Sequence, residues 1–176
     1  IRSQCALVLG DAPLSLASQS IVPLLSDPEP RVQMYAAIAL GKLGDPKTIE
    51  SLLQLLRDNN DQDPYLRYAA VSGLAGIGDR NALLEHVEDP SSAARLGILL
   101  ALRRMGDPAI ARFLDDDHPR LVTEAARAIY DTPIKGAQVP LSNALDAYLQ
   151  RDKADSPARP ADDTLLRRLL AANYRG

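Results

Sequence analysis

The sequence predicts an all-α solenoid, a stack of antiparallel helix pairs wound as a right-handed superhelix. Three observations predict it. A short Ala/Leu-rich amphipathic segment recurs five times, each copy running into a Gly-Asp or Asp turn. Aligned on Arg2, Gln33, Arg67, Arg95 and Val122, with Leu9, Leu40, Leu74, Leu102 and Ile129 seven places on, the copies stand 31, 34, 28 and 27 residues apart. That is the period of a helical hairpin repeat. Finally, no stretch sustains the two-residue alternation of β-branched side chains that a strand needs.

The elements follow in order. The first copy runs from Arg2 to Leu9. In the second, Asp27-Pro28-Glu29-Pro30 makes a turn whose prolines and acidic residues suit a helix start. Val32, Tyr35, Ala36, Ala39, Leu40 and Leu43 then recur at helical spacing. Gly44-Asp45-Pro46 ends that helix, because Gly tolerates the left-handed conformation, Asp can cap the next helix and Pro fits its first position. The partner helix carries Ile49, Leu52, Leu53, Leu55 and Leu56 and closes on the polar run Arg57–Asp61.

The grammar repeats. Asp63-Pro64 opens a helix that reaches Gly78-Asp79, with a short partner over Ala82–Val87. Asp89-Pro90 opens Ala93–Met105, Gly106-Asp107-Pro108 breaks it, and Ile110–Leu114 follows. His118-Pro119 opens Leu121–Tyr130, and Val139–Leu149 is its partner after Asp131-Thr132-Pro133. The array is therefore expected over residues 1–150 as about four and a half helix pairs. Residues 151–163, polar and Pro-containing, are expected as an exposed loop, and 164–176 as the first helix of a further, truncated repeat. That helix begins at Asp162 or Asp163, and its Leu165, Leu166, Leu169 and Leu170 stripe should dock on the preceding pair.

Composition narrows the rest. The 176 residues are 46% hydrophobic but only 4% aromatic, without Trp, so the core must be Leu, Ile, Val and Ala. A formal charge of −3 comes from intermixed acidic and basic side chains, with no basic run of the kind nucleic-acid binding requires. The sequence holds no apolar run near the ~18–20 residues that span a bilayer. A lone cysteine, Cys5, excludes an internal disulfide and is expected as a small core residue. The opening Ile1-Arg2-Ser3, inside one repeat, reads as a cut from a longer protein.

The words Gly44-Asp45-Pro46, Gly106-Asp107-Pro108, Asp63-Pro64 and Leu66-Arg67 resemble HEAT-like repeats of the phycobilin-lyase type. Tetratricopeptide repeats have a similar period but want a Trp that is absent here. More closely, Asp63–Val71, Pro119–Ile129 with Pro133-Ile134, and Leu166-Arg167-Arg168 followed by Asn173-Tyr174-Arg175 are similar to a HEAT segment of large bacterial proteins. There the segment lies between a sugar-dehydrogenase-like propeller and a c-type haem domain. The resemblance implies an exported, envelope-associated parent protein. The haem motif Cys-x-x-Cys-His cannot be made from Cys5 alone.

Candidate chemistry has a plainer explanation at each place. Asp115-Asp116-Asp117-His118 suggests a metal cluster, but adjacent carboxylates on a tight turn converge poorly on one ion, and Asp117 is what a helix start needs. Glu85-His86 reverses, and shows only once, the His-Glu pairs with which HEAT-like deoxyhypusine hydroxylase holds two irons. Gly73, Gly76 and Gly78 are in the wrong order for a phosphate loop and are expected to let helices approach and terminate. No nucleophile triad is indicated, and no catalytic, cofactor-binding or metal residue is assigned.

The recurring polar feature is Arg31, Arg67, Arg95 and Arg120 near the starts of first helices, with Asp45, Asp79, Asp107 and Asp131 in the turns after them. A structural ladder is expected, the Asp side chains capping helices and some pairing with an Arg of a neighbouring repeat. An interaction face is expected along the second helices near Gln54, Arg57, Arg80, Glu85, Arg112 and Asn143. The expected role is a non-catalytic scaffold contacting other domains of its parent or a partner protein. The alternative is a spacer in a dehydrogenase-like haem protein. A HEAT-like nucleic-acid module of the glycosylase kind is disfavoured by mixed charge and a single Phe.

Overall fold

A computed structural model describes residues 1–11, 18–132, 134–154 and 160–174. Among them there are helices and turns and no strand. The chain forms two compact units, Ile1–Ala101 and Leu102–Gly176. In order the α-helices are α1 (Arg2–Gly10), α2 (Ser18–Ile21), α3 (Pro30–Leu43), α4 (Ile49–Asn59), α5 (Pro64–Ile77), α6 (Arg80–Leu84), α7 (Ser92–Met105), α8 (Pro119–Asp131), α9 (Gln138–Ala154) and α10 (Pro160–Tyr174). Short 3₁₀ segments cover Val22–Ser26, Pro46–Thr48 and Pro108–Asp115.

In the first unit the first helices of successive pairs stack directly, α1 on α3 and α3 on α5. Helix α4 packs on α5 and on the Val22–Ser26 segment. Leu40, Leu52, Leu53, Leu56 and Leu74 are buried between these layers. Each such side chain contributes roughly 1.5–3 kcal/mol on transfer from water. The first helices meet backbone to backbone. A Cβ added to Gly41 would lie 2.7 Å from Cα of Gly73, and one added to Gly73 would lie 2.7 Å from the carbonyl of Ala37. Glycine is required there by space. Gly73 and Gly76 thus serve the helix approach expected of them.

The turns between paired helices rest on the other use of glycine. Gly44, Gly78 and Gly106 have φ of 68°, 71° and 67°, the left-handed conformation that ends a helix and releases the chain toward the next. The amide of Gly44 donates to the Leu40 carbonyl and that of Gly78 to Leu74, both at 3.1 Å. Helix α8 ends differently, on Thr132 in an extended conformation.

In the second unit α8 packs on the Pro108–Asp115 segment, and α10 packs on both α8 and α9. The segment expected as a helix over Ile110–Leu114 is 3₁₀, and its tighter three-residue turn puts Ile110 and Phe113 on one side, both buried. Leu169 anchors α10, whereas Leu170 stays exposed and the Leu165 side chain lies outside the described residues. The helices take in both ends of the expected 151–163 loop, since α9 continues to Ala154 and α10 starts at Pro160. Residues 155–159 lie outside the described residues.

Cys5 is a correction. It is exposed, not part of the core. Helix α1 packs on α3 through Ala6 and Gly10, four residues apart and both buried, and Cys5 lies off that line.

Candidate functional site: the charged turns and the second-helix face

The polar side chains that the fold places most deliberately lie in the turns where one pair hands over to the next. Asp27 and Asp89 are both buried. Each folds its carboxylate back on the turn, accepting the Glu29 amide at 3.0 Å and the Ser91 amide at 2.8 Å. Each carboxylate also takes an arginine from an earlier helix. Arg2 donates to Asp27 through Nε at 2.7 Å and Nη2 at 3.1 Å, and Arg57 donates to Asp89 through Nη2 at 2.6 Å and Nε at 3.0 Å. Hydrogen bonds from Arg2 and then Glu29 hold the Asp27 carboxyl below the usual range. At Asp89 burial pushes upward, but Arg57 and the Ser91 amide outweigh it and the net direction is also down.

In α3, α5 and α7 the register residue reaches back six positions to the turn before its helix. Gln33 Nε2 donates to the Asp27 carbonyl and Arg95 Nη1 to the Asp89 carbonyl, each at 2.7 Å, while Arg67 pairs with the Asp61 carboxylate. Gln33, which looks in sequence like a lapse in an arginine pattern, does the same work as Arg95. Between them the Asn59–Asp63 turn carries Asn60 and Asp61 at positive φ, 40° and 58°, which Asn and Asp tolerate better than most residues. Asn59 closes it with two bonds, from Nδ2 to the Asp63 carbonyl and from the Asp63 amide to Oδ1, both 3.0 Å.

The Arg and Asp residues of the expected ladder fall into several separate roles. Asp45, Asp79 and Asp107 accept backbone amides of the segment that follows them, Lys47 at 3.1 Å, Ala82 at 3.1 Å and Ala109 at 2.8 Å. Asp45 also accepts the Ser18 hydroxyl at 2.6 Å, the main reason its carboxyl is held low. Asp131 is not a cap: it lies in the last turn of α8 and accepts Arg103 Nη2 at 2.8 Å. Arg31 stands over the Tyr35 ring, 5.8 Å from its centroid, and Arg120 is exposed at the start of α8. At the α8 start it is Asp116, not the expected Asp117, whose carboxylate accepts the His118 amide, at 2.8 Å.

Of the expected face, Gln54, Arg80 and Glu85 are exposed in the first unit, and Arg112 and Asn143 in the second. Arg57 is the exception. Besides Asp89 it holds Glu50 Oε1 at 2.7 Å and Gln54 Oε1 at 3.1 Å, so it is spent inside the first unit. Its guanidinium is held more basic than usual, by Asp89 first and then Glu50.

Residues 1–63 and 59–130 match the family described as HEAT repeats, which is most of the chain. The chain belongs to the HEAT-repeat family. The two matches overlap at residues 59–63, the turn that Asn59 closes. No curated protein matches the chain. Among the described residues of this HEAT-repeat protein, no group of three or more His, Cys, Asp or Glu side chains is placed to hold a metal ion. Nor is any described helix long and apolar enough to cross a membrane.

What sequence reasoning missed is the bracing role of Asn59, Asp27 and Asp89 and of the Arg2 and Arg57 that serve the two carboxylates. Asp-Pro ahead of α3 and α7 is a visible signal for the two buried carboxylates. Nothing local marks Arg57, which sits 32 residues from its partner.

Proposed function

We propose that this HEAT-repeat protein is a non-catalytic scaffold, a segment of a larger protein that packs against that protein's other domains or binds a partner protein. The carrying observation is a division of labour among its polar groups. The carboxylates and arginines with perturbed acidity (Asp27, Asp45, Asp89, Arg2 and Arg57) each close a turn or join neighbouring elements. The residues left outward along the second elements of the pairs, such as Glu85, Arg112 and Asn143, are free to vary without disturbing the core. That is the arrangement of a binding surface on a rigid frame.

A bacterial parent with a dehydrogenase-like propeller and a haem domain is the finer version, supported by the words around Asp63–Val71 and Pro119–Ile129. Cross-linking mass spectrometry on the full-length protein tests the scaffold reading. Links from Lys47 or Lys135 to another domain or a co-purifying protein are expected. A segment that tumbles independently and forms no such links would overturn it.

A further inference from the structure

Five peptide bonds of the chain join aspartate to proline: Asp27-Pro28, Asp45-Pro46, Asp63-Pro64, Asp89-Pro90 and Asp107-Pro108. A bond of this kind carries its own means of cleavage. An oxygen of the aspartate carboxylate can attack the same residue's main-chain carbonyl carbon, closing a five-membered ring without any bimolecular encounter. The tertiary amide nitrogen of proline then leaves once acid has protonated it. The fold decides which carboxylate is free to attack.

Three of the carboxylates are held through both oxygens. At Asp27, Oδ1 accepts the Glu29 amide and Arg2 Nη2, and Oδ2 accepts Arg2 Nε. At Asp45, Oδ1 accepts the Lys47 amide and Oδ2 the Ser18 hydroxyl. At Asp89, Oδ1 accepts the Ser91 amide and Oδ2 both Nε and Nη2 of Arg57. Asp107 accepts the Ala109 amide and makes a further contact. Asp63 differs. Its Oδ1 accepts the Tyr65 and Leu66 amides together, and among the described residues Oδ2 has neither a hydrogen-bond donor nor a cation.

The carbonyl that Oδ2 would attack is already polarised. The Asp63 carbonyl accepts Asn59 Nδ2 at 3.0 Å and the Arg67 amide at 3.1 Å, two donors on the oxygen where negative charge develops as the ring closes. Pro64 is exposed, so acid and water reach the leaving group.

We propose that Asp63-Pro64 is an acid-triggered self-cleavage site, with Asp63 Oδ2 as the nucleophile. The C–O bond forms as the C–N bond to Pro64 breaks, a proton from the solvent passes to the proline nitrogen, and water opens the cyclic anhydride. The products are a chain ending in Asp63 and a chain beginning at Pro64, which together contain the original chain and one water. Because α5 starts at Pro64, the cut severs no helix. The reaction runs once per molecule and leaves the scaffold reading as it stands.

The protein is incubated at the lowest pH between about 5 and about 3 at which circular dichroism shows the native helix content, and fragments are followed by mass spectrometry. The fragment beginning at Pro64 is expected to form at least about tenfold faster than those from Asp27-Pro28, Asp45-Pro46 and Asp89-Pro90, whose oxygens must first give up a hydrogen bond. In guanidinium chloride the preference should vanish, because only the fold distinguishes these carboxylates. Asp63→Asn should lose its own cut and no other. Ser18→Ala is the sharper arm: it releases Asp45 Oδ2 and should raise cutting at Asp45-Pro46 several-fold while Asp63-Pro64 is cut as before. Equal cutting at the four bonds in the folded protein would overturn the proposal, as would no fragment beginning at Pro64. A preference that survives in guanidinium chloride, or a Ser18→Ala protein with no faster cut at Asp45-Pro46, would overturn it too.

Discussion

The turns at Asp27 and Asp89 are built alike and braced differently. In both, a buried carboxylate closes on the amide two residues ahead, and the register residue of the following helix takes the turn's backbone carbonyl. The arginine is what differs. Arg2 comes from the preceding first helix, α1, and is 61% exposed. Arg57 comes from a second helix, α4, is 23% exposed, and is itself held by Glu50 and Gln54. Solvent screens the Arg2 pair, whereas the Arg57 pair lies in a drier network whose members orient one another. The constant element is the carboxylate. In these two turns the carboxylate is held by the chain's own amide, and the cation comes from a different element in each.

Arg57→Ala should therefore be the most damaging of these changes. It leaves the Asp89 carboxylate, 3% exposed, without its cation. Stranding a buried charge costs roughly 3 kcal/mol. At roughly 2–4 °C per kcal/mol for a chain of this size, the melting temperature should fall by about 6–12 °C. Arg2→Ala should produce a clearly smaller drop, because water can approach Asp27 from the side that Arg2 leaves. Circular dichroism melts of the two variants decide it. Equal losses would mean that exposure of the arginine is irrelevant and the two turns are energetically the same.

Acid sharpens the same contrast from the carboxylate side. Asp27, Asp45 and Asp89 all have lowered pKa values in the folded chain. A carboxyl lowered on folding stabilises fully above its unfolded value, near ~3.9, and loses that contribution as pH falls through the folded value. Urea denaturation should thus show stability declining as pH drops from about 5 toward and below that unfolded value. In Asp89→Asn the decline should be shallower over the same range, since one of the three carboxyls no longer titrates. A variant that starts lower and falls with the same slope would show that Asp89 contributes nothing linked to protonation.

How far these turns could be read in the sequence depends on how local their causes are. Gly44-Asp45-Pro46 is local, and the left-handed glycine and the capping Asp both lie where those residues imply. Arg57–Asp89 is not local, and on a second helix Arg57 reads as surface. The arginine series misled because it mixed two registers. Arg67 and Arg95 occupy the position of Gln33, whereas Arg31 and Arg120 stand two residues earlier, where α5 has Tyr65 and α7 has Ala93. Asp131 slipped likewise, nine residues after its register position where Asp45, Asp79 and Asp107 stand twelve after theirs. Cys5 was misjudged because burial of a first helix depends on its neighbour, which composition does not reveal.

The smallest effects belong to the caps within pairs, and they isolate what a turn carboxylate is worth without an arginine. Asp79 accepts the Ala82 amide, and its removal in Asp79→Ala should cost about 1 kcal/mol, or roughly 2–4 °C of melting temperature. Asp45→Ala should cost more, because the same carboxylate also holds the Ser18 hydroxyl. Ser18→Ala separates the two contributions: in the Asp45→Ala background it should add less destabilisation than it does alone, since the partner is already gone. Additive losses would mean that Ser18 and Asp45 act independently despite their 2.6 Å contact. An unchanged melt for Asp79→Ala would mean that glycine alone sets these turns, leaving the two arginine-braced junctions as the places where acidic side chains matter.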